Sequence, residues 1–418
     1  MVDQAFAIHT VRSCVRRIDF FNFPHIKNQS ALDAEVESAV AFLDDPSKYV
    51  GEILYSSLHG KPVARTSTFR SALAIRKVNQ NLRYGLNASA DDRRAIVQSL
   101  RGVLAEGVPY SLYKLDVRRF FESTSVDYVA STLAGADKSV SLGTRRVINA
   151  VLDRHAGGGY SGIPRGLAIS STLAEWVMSG FDRAVEGHDE VFYFRRYVDD
   201  ITIVTSQRED PSDFRRFLES VLPEGLEFKK SKDSGFSVKR FRSKDARAGK
   251  IPDFENFDYL GYEFNVAIDK HRIEPFGRRE VWLDVAKGKV SKIKTRIIKA
   301  FLGFISDKNF DLLDRRIRHL TSNLSLLDRS RGVRRVVGIH YNYPLVECAK
   351  TQALHELDKF LQSALKSSKG RVFRRLVLTS AQRAQLAKHS FYAGAKSRRF
   401  FQMGVKSLGQ VQKVWKHG

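Results

Sequence analysis

The chain has 418 residues and carries a net charge of +24 from 70 Lys and Arg against 46 Asp and Glu. Residues 267–418 hold 33 basic and 11 acidic residues, a net +22, while residues 1–266 are close to neutral at +2. So basic a region implies a polyanionic partner, nucleic acid ahead of an acidic membrane surface. With only Cys14 and Cys348 there is no disulfide framework and no zinc pattern, no apolar run is long enough to span a bilayer, and the start lacks a signal-peptide layout. A reducing cytoplasm is the expected compartment.

In chain order, Leu32, Val36, Ala39, Val40 and Leu43 recur at helical spacing and predict a helix over 31–43. Residues 56–62 read as a loop, and His59 as a surface histidine without a partner at ligand spacing. Residues 61–90 carry Arg65, Arg70, Arg76, Lys77 and Arg83 with few acids. This is either a phosphate-gripping strand pair or helix, or a solvated cationic face. Ser89 is placed to cap a helix with Asp91 and Asp92 in its first turn and Ile96, Leu100 and Leu104 along its buried stripe.

Three stretches carry chemistry. In the first, Tyr110 to Phe121, alternating apolar residues predict a strand ending in Asp116, followed by Phe120 and Phe121. Such an aspartate either serves a site at the strand's end or ends a plain turn. The second, Gly157 to Gly166, is a glycine-rich loop leading into a helix of small residues from Leu167 to Glu175. Its glycines allow close backbone approach, yet it matches neither the P-loop nor the dinucleotide fingerprint. The third, Phe192 to Val204, places Val198-Asp199-Asp200 as a tight turn between two strands. Adjacent carboxylates repel and call for solvent or cations, and Mg²⁺ needs one or two carboxylates plus substrate phosphates. An isolated Asp-Asp turn is more often merely a turn, so the other motifs decide.

Beyond these lie a helix over 213–221, the lysine stretch 229–232, and a strand over 257–264 that turns at Gly261. The region 266–418 is expected to be helical and basic. In it, 279–305 is read as one helix bearing Lys287, Lys289, Lys292, Lys294, Arg296 and Lys299, and Leu354, Leu357, Leu361 and Leu365 form an amphipathic stripe. Residues 338–345, with Tyr341 and Tyr343, read as a packed loop ahead of a base-stacking platform. The tail from Phe400 to Trp415 interleaves aromatic and basic residues.

Taken in order, these motifs resemble the palm motifs of reverse transcriptases over residues 60–265. Leu115-Asp116 with Phe120-Phe121 resembles the first carboxylate motif. Gly162-Ile163-Pro164-Arg165-Gly166 resembles the Pro-Gln-Gly motif, and Tyr197-Val198-Asp199-Asp200 the Tyr-x-Asp-Asp motif. Lysines 229–232 and Leu260-Gly261 resemble the two motifs that follow. The fold implied is an α/β right-hand polymerase: an N-terminal segment 1–60, fingers and palm with an antiparallel sheet at 61–266, and an all-helical basic thumb and C-terminal domain at 267–418.

The resemblance further implies a two-metal mechanism. Asp116, Asp199 and Asp200 would be catalytic, with Asp116, Val117, Asp199 and Asp200 at Mg²⁺ or Mn²⁺. Phe121, five residues after Asp116, would bar a ribose 2′ hydroxyl. Arg165, Gly166, Arg70, Arg76 and Lys77 would face the nucleotide, and Lys287, Lys289, Lys292, Arg296 and Lys299 the nucleic acid. Arg165 stands where the family carries glutamine, which points to a specialised template. No zinc, nuclease, RNase H or integrase motif follows.

With a palm joined to a helical C-terminal region the chain resembles the bacterial antiviral, defence-associated reverse transcriptases, and in Asp3-Gln4-Ala5-Phe6, residues 338–345 and Val414-Trp415-Lys416-His417 it resembles among them the first polymerases of type 3 systems. That resemblance implies a non-coding RNA template, dNTPs and a DNA product, a second reverse transcriptase subunit in a higher-order assembly, no membrane, and a role in phage defence. The alternatives are a retron-like or group II intron-derived reverse transcriptase and, from another class, a non-catalytic RNA-binding protein with a relic palm.

Overall fold

A computed structural model describes residues 3–17, 19–49, 53–58, 60–86, 92–136, 139–230, 237–240, 254–267, 278–328, 333–367, 369 and 372–416. The chain forms two compact units, each interrupted in sequence. The first comprises Met1–Asp92 and Pro109–Arg242, the second Arg93–Val108 and Ser243–Gly418. The limits expected at 60/61 and 266/267 follow the motifs, whereas the units follow packing.

The first unit is built on a four-stranded antiparallel sheet. Its strands are β3 (Ser111–Asp116), β4 (Val191–Tyr197), β5 (Asp200–Thr205) and β6 (Ser237–Arg240), in the order β4-β5-β3-β6. The central strands are apolar on both faces: Leu112, Tyr113, Leu115, Ile201, Ile203 and Val204 are all buried. Phe181, from the helix Ser179–Glu186, meets Phe194 and Phe228 edge to face, and Phe214, from the helix Pro211–Ser220, packs 4.9 Å from the Tyr113 ring.

The helix expected over 31–43 is present as Gln29–Asp44, capped by the Asn28 side chain, with Leu32, Val36, Ala39 and Leu43 buried. The expected loop at 56–62 is instead a hairpin of β1 (Ile53–Leu58) and β2 (Lys61–Thr66). Its reversal passes through Gly60 at φ +74°, a conformation open to glycine; His59 lies outside the described residues. A sequence of Ser-Ser-Leu-x-Gly-Lys-Pro looks like punctuation, but Tyr55, Val63 and Ala64 give the strands enough apolar contact to pair.

In the second unit the helix Arg93–Leu104 buries Ile96, Val97, Leu100 and Leu104. The expected cap Ser89 and Asp91 lie outside the described residues. The expectation of an all-helical region after 266 is corrected by two sheets. One runs β7 (Phe254–Tyr259), β8 (Tyr262–Ala267) and β9 (Val281–Val285); the other joins β10 (Asn323–Asp328), β11 (Val333–Gly338) and β12 (Phe400–Phe401). The single helix read over 279–305 is therefore a strand followed by the helix Lys287–Asp307. Val281, Leu283 and Val285 alternate with period two and complete the sheet beside β8.

The stripe Leu354, Leu357, Leu361 and Leu365 is buried in the helix Ala353–Lys366. Tyr343 packs edge-on against Tyr262 at 5.9 Å, in keeping with a packed loop, and Tyr341 is exposed. The Trp415 Nε1–H donates to the Arg296 carbonyl at 3.0 Å while its ring stacks on His319.

Candidate active site

Antiparallel pairing sets Asp116, the last residue of β3, directly opposite Asp200, the first of β5. Opposed residues of neighbouring strands share a face, so the two carboxylates face the same way. Asp199 occupies the two-residue turn between β4 and β5, and its carbonyl accepts from the Val117 N–H at 3.2 Å. The other turn residue, Val198, has φ +60°. A β-branched residue there is strained by roughly 1–3 kcal/mol.

Arg196 holds that turn. Its side chain is 4% exposed, and its Nη1 donates to the Val198 carbonyl at 3.1 Å. Nε and Nη2 reach both oxygens of Asp182 at 2.9 and 2.7 Å, and Nη2 also reaches Glu175 at 2.8 Å. Nothing in the sequence marks these three residues as a unit. The only available signal is the pair Arg195-Arg196 inside an otherwise apolar-aromatic strand, with Glu175 and Asp182 on the two preceding helices.

The electrostatics follow from crowding. Burial raises the pKa of Asp199, with further upward pressure from Asp116. Burial, then the charges of Asp199 and Asp116, push Asp200 up to about 6. Lys229 opposes both shifts, and its Nζ donates to Asp116 Oδ2 at 2.6 Å. Asp116 Oδ1 is buried with no hydrogen-bond partner among the described residues.

Among those residues no three His, Cys, Asp or Glu side chains converge as a ready-made metal cage. The donor set nevertheless fits Mg²⁺ or Mn²⁺. One carboxylate oxygen is orphaned, two neighbouring carboxylates are penalised for their charge, and a magnesium site normally draws its remaining ligands from water and substrate phosphates. The Val117 side chain is a buried hydrocarbon without a donor atom, so the one ligand this residue could offer a cation is its main-chain carbonyl.

The glycine-rich loop is clamped between the first carboxylate motif and the β1–β2 hairpin. At Gly162 (φ +73°) a Cβ would lie 2.1 Å from the Phe121 carbonyl, which accepts from the Ile163 N–H at 2.8 Å. At Gly166 (φ +103°) a Cβ would lie 2.5 Å from the Ala64 carbonyl, and the Ala64 N–H donates to the Arg165 carbonyl at 2.7 Å. Only glycine fits either place.

Arg165 does not stand free. Its Nε and Nη2 donate to Glu122 at 2.9 to 3.2 Å, and its guanidinium lies 4.9 Å over the Phe121 ring. The same hairpin is tied to the loop by a stack of Tyr55, His155 and Tyr160. His155 must donate from Nε2 to the Ser161 carbonyl and accept at Nδ1 from the Tyr55 hydroxyl, which is the neutral ring, and burial lowers its pKa.

The remaining predicted residues divide. Arg76 makes a two-pronged pair with fully buried Asp19 at 2.6 and 2.8 Å. Lys77 is 1% exposed, donates to the Asp3 carbonyl, and has its pKa lowered by burial. The Arg70 guanidinium lies over the Phe42 ring. All three are engaged with the segment before β1 instead of being gathered at the carboxylates, because the helix Phe69–Gly85 turns those positions toward its packed neighbours. Arg65 on β2 is the exposed cation adjoining the clamped Ala64.

In the second unit, Lys292 and Arg296 are exposed and Lys299 half-exposed, spaced four and three residues apart along one helix face. Lys287 pairs with Glu263 at 3.2 Å, and Lys289 lies half-buried beside Gly261.

No protein-family model matches the chain, and no curated protein matches it. Among solved structures it is similar to apo telomerase from Candida Tropicalis truncated from the C-terminal domain, at 13% identity and TM-score 0.34, over 52% of this chain and 53% of that one. It is similar also to telomerase from Candida albicans in complex with a TWJ fragment of telomeric RNA, at 13% identity and TM-score 0.32, over 81% and 53%. The corresponding Candida Tropicalis complex gives 12% identity and TM-score 0.37, over 88% and 64%. The chain thus spans between about half and two thirds of the length of these telomerase chains. No helix among the described residues is long and apolar enough to cross a membrane.

Proposed function

We propose that the chain is an RNA-templated DNA polymerase, a nucleotidyltransferase of the reverse-transcriptase type. The observation that carries this reading is the opposition of Asp116 to Asp200 with Asp199 in the adjoining turn, next to a loop clamped onto Phe121. Asp116, Asp199, Asp200 and the Val117 carbonyl would hold Mg²⁺ or Mn²⁺. When bound, the metal supplies positive charge at the attacking and leaving oxygens of the phosphoryl transfer.

The chain's own groups do the rest. Lys229 balances Asp116 until substrate arrives, exposed Arg65 offers a donor to a triphosphate, and Phe121, braced by Arg165, bars a 2′ hydroxyl. The test is extension of a DNA primer on an RNA template by the purified protein with dNTPs and Mg²⁺ or Mn²⁺. DNA made by the wild type and not by Asp116→Asn supports the reading; equal synthesis by both rejects it.

Two substitutions probe the nucleotide side. Phe121→Ala is expected to lower the ratio of dNTP to rNTP incorporation by about tenfold or more, since one well-made steric exclusion is worth about 1–3 kcal/mol; an unchanged ratio rejects the assignment. Arg165→Gln is expected to release Glu122 and the Phe121 ring and to broaden the base composition of the product. Product sequencing with the same composition and yield would reject that role.

The finer reading is a defence-associated enzyme that copies a dedicated non-coding RNA in a cytoplasmic assembly with a second reverse transcriptase. It rests on the resemblance at 3–6, 338–345 and 414–417 and on the charge split of +22 against +2. Sequencing the RNA that co-purifies from the native locus tests it. One abundant species supports a dedicated template, and a spread of unrelated RNAs leaves a general nucleic-acid-binding surface.

A further inference from the structure

A cleft of about 580 Å³ in the first unit lies between the turn after the helix Ile8–Arg12 and one face of the helix Phe69–Gly85. The helix contributes Arg76, Gln80, Arg83 and Tyr84, which recur at intervals of three and four and so share one face, while Leu73, Ala74, Ile75, Val78 and Leu82 are buried. Cys14 and Arg16 close the opposite wall.

No Asp or Glu lines this cleft. The charge of Arg76 is met from behind by Asp19, which also accepts from the Arg16 main-chain N–H at 2.7 Å, while the guanidinium groups of exposed Arg16 and Arg83 form no ion pair among the described residues. Tyr84 is 46% exposed, an aromatic face at the rim. The size is that of a ligand site, yet the lining is cationic and amide-bearing instead of apolar, which selects an anion.

We infer that this cleft binds a single nucleic-acid strand, with phosphates gripped by Arg16 and Arg83 and a base laid against Tyr84. Arg83 and Tyr84 lie on the helix and Arg16 on the facing wall, so cations border the cleft on both sides with an aromatic ring beside one of them, an arrangement that suits the alternating phosphates and bases of a strand. Arginine is suited to both sides because its planar fork matches phosphate oxygens. An exposed tyrosine between basic groups supplies the stacking that makes single-strand binding tolerant of sequence. The inference goes beyond the polymerase reading and does not depend on it, because none of these residues belongs to the carboxylate site and the readout is occupancy of the cleft, not synthesis.

The two cysteines provide the test. Cys14 lines the cleft and Cys348 lies in the other unit, so Cys348 is an internal control in the full chain. Alkylation of each thiol is followed by mass spectrometry with and without a short single-stranded RNA. The strand is expected to slow alkylation of Cys14 and leave Cys348 unchanged, and Arg16→Ala/Arg83→Ala is expected to abolish that protection. The same double substitution should flatten the log–log salt dependence of RNA binding by about 1.4, two phosphate contacts at about 0.7 each for a single strand. Arg215→Ala/Arg216→Ala, an equal charge change on an exposed helix, should leave Cys14 protection intact.

Cys14 alkylated at the same rate with and without RNA overturns the inference. So does protection that survives loss of both arginines, or that is lost equally in the control pair. If inorganic phosphate or AMP protects Cys14 as fully as the strand does, the cleft is a small-anion site and the strand assignment falls.

Discussion

Asp199→Ala should reduce DNA synthesis by at least about a thousandfold, a barrier increase of roughly 4 kcal/mol, while leaving the melting temperature of the metal-free protein equal or higher. The pairing of these outcomes follows from the geometry. Asp199 shares a small volume with Asp116 and Asp200, and burial already raises its pKa. Removing it deletes a cation ligand from the site but relieves repulsion in the fold.

The sign with pH is fixed by the direction of the shifts. Asp199 and Asp200 have folded pKa values above the ordinary carboxylate value, Asp200 at about 6. Their ionised forms therefore destabilise the fold, fully so above the folded pKa, and the penalty is relieved as pH falls through it. Between about pH 7.5 and 5.5 the wild type supplied with Mg²⁺ or Mn²⁺ should lose synthesis as protons compete with the cation for Asp200, and over the same interval these groups should contribute extra thermal stability to the metal-free protein. In Asp199→Ala that stability gain should shrink, because one of the charges raising Asp200 is gone. Primer extension and thermal melts at both pH values check it; retained synthesis in the variant would sink the assignment.

Arg196→Ala should destabilise the first unit by roughly 3–5 kcal/mol, because it strands Glu175 and Asp182 around a buried position. It also releases the Val198 carbonyl, so the Asp199 turn loses its brace. A unit of this size should melt about 6 °C or more lower. Adding Glu175→Gln and Asp182→Asn should restore much of the loss by removing the uncompensated charges, yet should not restore synthesis if the guanidinium positions the turn. A melting shift below about 2 °C in the single variant would show that the three residues are not a working unit.

The contrast between the legible and illegible parts of this site has a physical origin. Asp116 could be read because a strand's alternation announces where it ends, and Asp199-Asp200 because adjacent carboxylates between apolar runs have few structural uses. Gly162 and Gly166 could be suspected because glycine is the residue a close approach demands, although what approaches, the Phe121 and Ala64 carbonyls, is set by tertiary packing. Arg196 was not read: its partners lie 14 and 21 residues earlier, and in so basic a chain an arginine pair within a strand is a weak signal. Arg76 and Lys77 show what composition leaves out. Composition counts charges without showing which are already answered, and Asp19 and the Asp3 carbonyl answer these two. The strand Val281–Val285 was absorbed into the following helix for a similar reason, since five residues of period two are easily overrun by twenty-one of period 3.6.

The helix Arg93–Leu104 is made early and employed late. Its partners in the second unit come much further along the chain: Arg93 donates to the Leu260 carbonyl, Arg101 to the Val281 carbonyl and pairs with Glu347, and the Ala105 carbonyl accepts from Arg279. At ribosomal speeds of about 5–20 residues per second, those partners emerge roughly 10–50 s after the helix. For that interval the nascent chain carries an amphipathic segment whose apolar stripe, Ile96, Val97, Leu100 and Leu104, has nothing of its own unit to cover it. Ribosome-bound chains halted near residue 250 should therefore hold this helix open to a chaperone or a protease, and chains released at full length should not.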